Sequence, residues 1–165
     1  MHDEKLQLLN QGATAQEIKH MAILLNQEIH FARLTATRFD LNRLDPTKPN
    51  WGLQCRTTDK AVRKQWIDMG IKPRTVRVDP ADEESDVLYY SVNFRKNVWK
   101  TVKATEERTK NTPPEVVNGK QVPIDGNSIG NGSIANLKLR RREFELAGVK
   151  KVAYTLMGVQ VVKHL

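Results

Sequence analysis

Cysteine, aromatic residues and long apolar runs are all scarce in this chain, and acids are outnumbered by bases. Cys55 is the only cysteine, so no internal disulfide can form and a cysteine zinc site is excluded. That usage fits a reducing cytosol. No apolar stretch approaches the roughly 18 residues of a membrane-spanning helix, and no membrane partner is expected. The first residues, Met1-His-Asp-Glu-Lys5, carry early acids and no signal-type apolar core, so secretion is not expected. Aromatics make up only 6% of the chain, which makes the position of each ring informative. Acids number 19 against 27 lysines and arginines, a net charge of +8. A basic chain of this size suits a polyanionic partner, nucleic acid ahead of an anionic membrane. Its 165 residues suffice for one domain with a real core.

What is present reads mostly as strands. The exception is the first thirty residues. Thr14-Ala-Gln-Glu17 has the form of a capping box, and Ile18, Met21, Ala22, Leu25 and Ile29 recur at helical spacing. The expectation is an N-terminal amphipathic helical segment over 1–30, ahead of a strand-rich domain over 31–165. From Phe31 through Phe39 the residues favour strand. Trp51, Leu53 and Cys55 alternate with Gly52, Gln54 and Arg56, the pattern of a half-buried strand. Thr58 opens a short helix whose Val62, Trp66 and Met69 form a core stripe, stopped by Gly70. Arg74 to Val78 is a short strand.

The segment Val87–Lys100 alternates along its whole length. Leu88, Tyr90, Val92 and Phe94 share the core face. Tyr89, Ser91, Asn93, Arg95, Asn97 and Trp99 share the opposite one. The charged, proline- and glycine-bearing stretch 101–127 reads as a long loop holding a small hairpin at Asn118-Gly119. After the glycine turn Ile129–Ser133, core residues Ala135, Leu137 and Leu139 alternate with Lys138, Arg140 and Arg142. A phase change before Phe144 and Leu146 points to a bulge or bend. The last strand runs from Val149 to Lys163, with Tyr154 in the core. The expected fold class is mainly β with helices: an OB-fold-like five-stranded barrel, an N-terminal helix and one short helix between strands.

A sequence-tolerant single-strand binder needs cations for phosphates and flat side chains for bases. Tyr89, Asn93, Arg95 and Trp99 supply both at strand spacing, and Lys138, Arg140 and Arg142 supply a second cationic row. Phe39 and Arg56 join as candidate DNA-binding residues. Trp99 reads equally well as a stacking residue or as an edge residue covered by a loop. Trp51 and Trp66 point inward by phase.

Three runs carry a resemblance. They are Ile129-Gly-Asn-Gly-Ser-Ile-Ala-Asn-Leu-Lys-Leu139 with Ala147 to Val162, Pro49-Asn-Trp-Gly-Leu-Gln-Cys-Arg56 within Leu34–Thr57, and Tyr90-Ser-Val-Asn-Phe-Arg-Lys96. Together they resemble the bacteriophage-type single-stranded DNA-binding proteins of phage replication and recombination, over roughly residues 31–163. The resemblance implies an OB-fold, single-stranded DNA binding without catalysis, often a homodimer, and work in the host cytoplasm. It also implies an acidic tail that recruits replication proteins. Val161-Val-Lys-His-Leu165 contains no acid.

Three other functions compete. A single-stranded RNA-binding module uses nearly the same chemistry. A metal-dependent nuclease would place Mg²⁺ on Asp79, Asp82, Glu83 or Asp86, but these acids crowd one loop and no nucleophile motif or P-loop accompanies them. A purely structural protein would show no salt-sensitive nucleic-acid binding. His2, His20, His30 and His164 suggest no catalytic grouping, and no cofactor is expected.

Overall fold

The computed structural model describes residues 20–35, 49–101, 105 and 107–165. Strands β1 (Met21–Arg33), β2 (Asn50–Thr57), β3 (Arg74–Arg77) and β4 (Val87–Asn97) form the first half, with helix α1 (Lys60–Asp68) between β2 and β3. Strands β5 (Trp99–Thr101), β6 (Arg108–Lys110), β7 (Glu115–Asn118), β8 (Ser133–Leu146) and β9 (Val149–Lys163) follow. The main sheet runs β3-β4-β2-β1-β8-β9-β7, and a parallel bridge from Arg95 in β4 to Thr155 in β9 closes it. The closed unit is a five-stranded barrel of OB-fold type. Strands β5 and β6 form a separate two-stranded hairpin. Among the described residues no helix is long and apolar enough to cross a membrane.

Closure puts one face of each strand inside. Leu24, Ile29, Leu53, Cys55, Val92, Phe94, Leu137, Leu139, Leu156 and Val159 fill the interior, and Trp66 of α1 packs with them. The Trp66 indole N–H donates to Gln27 Oε1 at 3.0 Å, and Gln27 Nε2 donates to the Leu25 carbonyl at 2.9 Å. A buried glutamine and a buried indole thus satisfy each other. Trp51 is also fully buried and donates to the Thr35 carbonyl at 2.8 Å. Burial drives the Cys55 thiol far above its ordinary value, so it stays protonated. Helix α1 is capped by Asp59, one residue beyond the expected Thr58, with its carboxylate accepting from the Ala61 N–H at 2.8 Å.

The helical reading of the N-terminal segment fails over its described part. Residues 21–33 are β1, hydrogen-bonded to β2 and β8, so no boundary falls at residue 30; Thr14 to Glu17 and Ile18 lie outside the described residues. The misleading spacing has a physical source. Asn26 and Phe31 both take positive φ, near +54°, and the register of β1 slips on either side of them. Each slip adds a residue, so buried positions fall at 24, 27, 29, 32 and 34. Two bulges in a strand thereby imitate the three- and four-residue steps of a helix.

Of the bulge or bend expected before Phe144, no bulge is present. From Leu139↔Leu156 to Leu146↔Val149 the β8–β9 register has no slip. Residues 143–151 are all exposed, so the hairpin has left the barrel and has no inner face for alternation to mark. The described part of the 101–127 stretch is not all loop. It contains β6 and β7, and β7 pairs parallel with β9. The Asn118 turn is present, with the Val122 carbonyl accepting from the Asn118 N–H at 2.9 Å.

Candidate nucleic-acid interface

Two neighbouring depressions on the outside of the barrel collect four of the candidate residues, Asn93, Arg95, Arg140 and Arg142. The first lies over β1, β2 and β4. Antiparallel register sets Gln54 opposite Asn93 and Gly52 opposite Arg95, so these side chains share one face. Gly52 permits this packing. A Cβ there would stand 2.9 Å from the Phe94 carbonyl oxygen and 3.2 Å from Arg95 Cγ. Phe31, Gly52, Gln54, Asn93 and Arg95 line the depression.

Beside it the Arg56 guanidinium lies 4.2 Å from the Tyr89 ring centroid and 5.2 Å from that of Phe31. Its Nε donates to Gln54 Oε1 at 2.6 Å. One guanidinium therefore stacks against two rings, one on β1 and one on β4, and a hydrogen bond fixes its plane. Phe31 was not foreseen as a site residue. It is 48% exposed, and its left-handed backbone is costly for a bulky side chain. The Asn131 side-chain carbonyl, accepting from the Phe31 N–H at 2.8 Å, holds it in place. Asn131 sits in the glycine turn, and that turn is anchored by the end of β9: Gly130 N donates to the Leu165 carbonyl at 2.8 Å. A Cβ on Gly130 would stand 2.3 Å from that oxygen. The only sequence signal for Phe31 was an aromatic beside a helix–strand boundary that does not exist.

The second depression is a cleft of about 550 Å³ between the end of β4, the β5–β6 hairpin and the β8–β9 pair. Arg95, Lys96, Lys100, Arg140 and Arg142 line it, and none of its lining residues among the described ones is acidic. Asn111 closes one wall by donating to the Asn97 carbonyl at 2.9 Å. Burial, and then the charge of Arg140, hold the Lys96 ammonium below its ordinary 10.5. The pile-up of like charge is a standing electrostatic cost that a bound polyanion relieves.

Trp99 does not share the Tyr89 face. Val98 is almost fully buried, its N–H donating to the Pro49 carbonyl at 3.1 Å, and the strand breaks there. Trp99 falls in the β5–β6 hairpin, 38% exposed, with the Arg108 guanidinium 4.9 Å from its ring. Lys138 is separated from Arg140 and Arg142. Its stem packs across Gly158, with Cβ 3.4 Å from where a Gly158 side chain would begin, and it does not line the cleft. Phe39 lies outside the described residues.

The acidic 79–86 loop is occupied with its own turn. Asp79 accepts from the Ala81 N–H at 3.0 Å and Asp82 from the Glu84 N–H at 2.9 Å. Among the described residues no three histidines, cysteines or acids converge to hold a metal.

The architecture recurs in solved structures. The single-stranded DNA-binding protein of bacteriophage Enc34, in complex with single-stranded DNA, superposes with a TM-score of 0.55 at 16% identity. The match covers 89% of this chain and 88% of that one. The fold is that of phage single-stranded DNA-binding proteins. A second example is gp2.5, a single-stranded DNA-binding protein encoded by bacteriophage T7, with a TM-score of 0.57 at 14% identity over 88% of this chain and 92% of that one. No family model and no curated protein sequence matches the chain.

Proposed function

We propose that this chain binds single-stranded DNA with little sequence preference and shields it during phage DNA replication and recombination in the host cytoplasm, without catalysing a reaction. The observation that carries the reading is the Phe31–Arg56–Tyr89 stack standing beside a cleft whose described lining holds five cations and no acid. Rings and a planar guanidinium meet bases of any identity through their π-faces. Lysines and arginines release counterions from phosphates. The shared fold of two phage proteins that bind single-stranded DNA supports the same reading, which extends to a homodimer working with replication proteins.

The test is a titration of the protein with oligo-dT, oligo-U and duplex DNA at two salt concentrations. Oligo-dT should bind tightest, with affinity falling steeply as salt rises. Preference for oligo-U would turn the assignment to RNA, and affinity indifferent to salt would refute it.

A pH effect follows from Lys96. Its folded pKa lies below 10.5 because the charged form is disfavoured in the cleft. A phosphate beside it favours the ammonium and pushes the pKa back up, so binding takes up a proton in the window between the lowered and restored values. Affinity for oligo-dT should therefore fall as pH rises through that window, just below the usual lysine range. The folded protein responds the other way, since losing the proton relieves the desolvation of Lys96. Titrations across this range should show Lys96→Met falling less steeply than the natural chain. An equal fall in both would show that Lys96 meets no phosphate.

A further inference from the structure

The two depressions differ in chemistry and meet at one residue. Phe31 lines the first, and the Arg56–Tyr89 stack stands beside it. Among the described residues the cleft's lining offers five cations and a single ring, Tyr154, whose hydroxyl donates to the Met69 carbonyl at 2.6 Å, with the Phe144 ring outside it 5.6 Å from the Arg142 guanidinium. Trp99 does not line it. Among the described residues Arg95 is the one that lines both.

Resting on the proposed single-strand reading, we infer that the bound strand is held in two unlike segments that meet at Arg95: a base-stacked segment over β1, β2 and β4, and a segment in the cleft gripped by its phosphates alone. On the first, the bases lie against Phe31 and the Arg56–Tyr89 stack, so binding energy depends on the presence of bases. In the second, Lys96, Lys100, Arg140 and Arg142 meet backbone oxygens, so binding energy depends on charge and salt and is blind to bases. Arg95 contributes to both because it lines both.

A double dissociation tests this. The natural chain and its variants are titrated with oligo-dT and with an abasic deoxyribose-phosphate oligomer of equal length, at several salt concentrations. Phe31→Ala combined with Tyr89→Ala should weaken oligo-dT by about thirtyfold or more, from loss of about 1–3 kcal/mol of stacking per ring, and leave abasic affinity within about twofold. Arg140→Ala combined with Arg142→Ala should weaken both ligands by the same factor and flatten the salt slope by about 1.4, at about 0.7 per phosphate on a single strand. Phe31→Trp keeps a flat ring and should retain the preference for oligo-dT over the abasic chain, separating stacking from any effect of the substitution on folding. Arg95→Ala should weaken both ligands.

The inference is overturned if the aromatic pair weakens the abasic oligomer as much as oligo-dT, or if the arginine pair leaves abasic binding unchanged. Failure of the natural chain to bind oligo-dT in a salt-sensitive way would instead defeat the single-strand reading beneath it.

Discussion

Replacing Trp66 by alanine should destabilise the barrel by about 3–5 kcal/mol, the usual cost of emptying a large buried aromatic site. Such a loss is a large share of the roughly 5–15 kcal/mol that holds a domain of this kind together. Two effects combine. The indole is fully buried within the core cluster and leaves a cavity that the closed sheet cannot easily collapse around. Its N–H is also the partner of the buried Gln27 Oε1, and a buried polar atom left without its partner costs about 1–3 kcal/mol. Trp66→Phe separates the two. It keeps most of the volume but removes the donor, so its cost should fall near the lower figure. Denaturant unfolding measures both, as a shift of midpoint with slope unchanged. A loss below about 1 kcal/mol for Trp66→Ala would show that the core does not depend on α1.

The second large effect concerns binding. Arg56→Ala should weaken oligo-dT by about 5- to 150-fold, corresponding to roughly 1–3 kcal/mol for a stacking position. The variant that decides the mechanism is Arg56→Lys. Arg56 lies over the Tyr89 ring at 4.2 Å and the Phe31 ring at 5.2 Å, with its plane fixed by Gln54. A lysine keeps the charge but has no plane to stack and no fork to hold Gln54. If Arg56 acts as part of a stack, Arg56→Lys should lose nearly as much affinity as Arg56→Ala, and both should change the salt slope little. If it serves only as a phosphate contact, Arg56→Lys should keep most of the affinity, and that result would overturn the stacking role. Fluorescence titration of labelled oligo-dT distinguishes the two outcomes.

Much of the architecture was legible in residue order because alternation records which side of a strand is wet. Leu53 and Cys55 on β2, Val92 and Phe94 on β4, and Ala135, Leu137 and Leu139 on β8 all point where their phase places them. So does the outward set Tyr89, Asn93 and Arg95. Charge excess and the glycine turn at 130–133 also needed no coordinates. Alternation failed at several positions, among them Leu88, read inward but 51% exposed, and Ser91, read outward but 3% exposed. Where β1 bulges at Asn26 and Phe31, the extra residues shift the phase twice, and a strand reads as a helix. Where Val98 is drawn inward by the Pro49 carbonyl, the phase breaks, and Trp99 is carried off the face it had been assigned to.

Composition and periodicity by themselves determined that this chain is basic and strand-rich, with strands that carry a core face and a ring- and arginine-bearing outer face, because these properties are local sums over neighbouring residues. Only the tertiary structure decided which side chains meet. Phe31 and Tyr89 are 58 positions apart in the chain, and they flank Arg56 because β1, β2 and β4 lie side by side. Lys96 and Arg142 share a cleft because the sheet closes between Arg95 and Thr155. Closure is a long-range event, and no window along the sequence contains it.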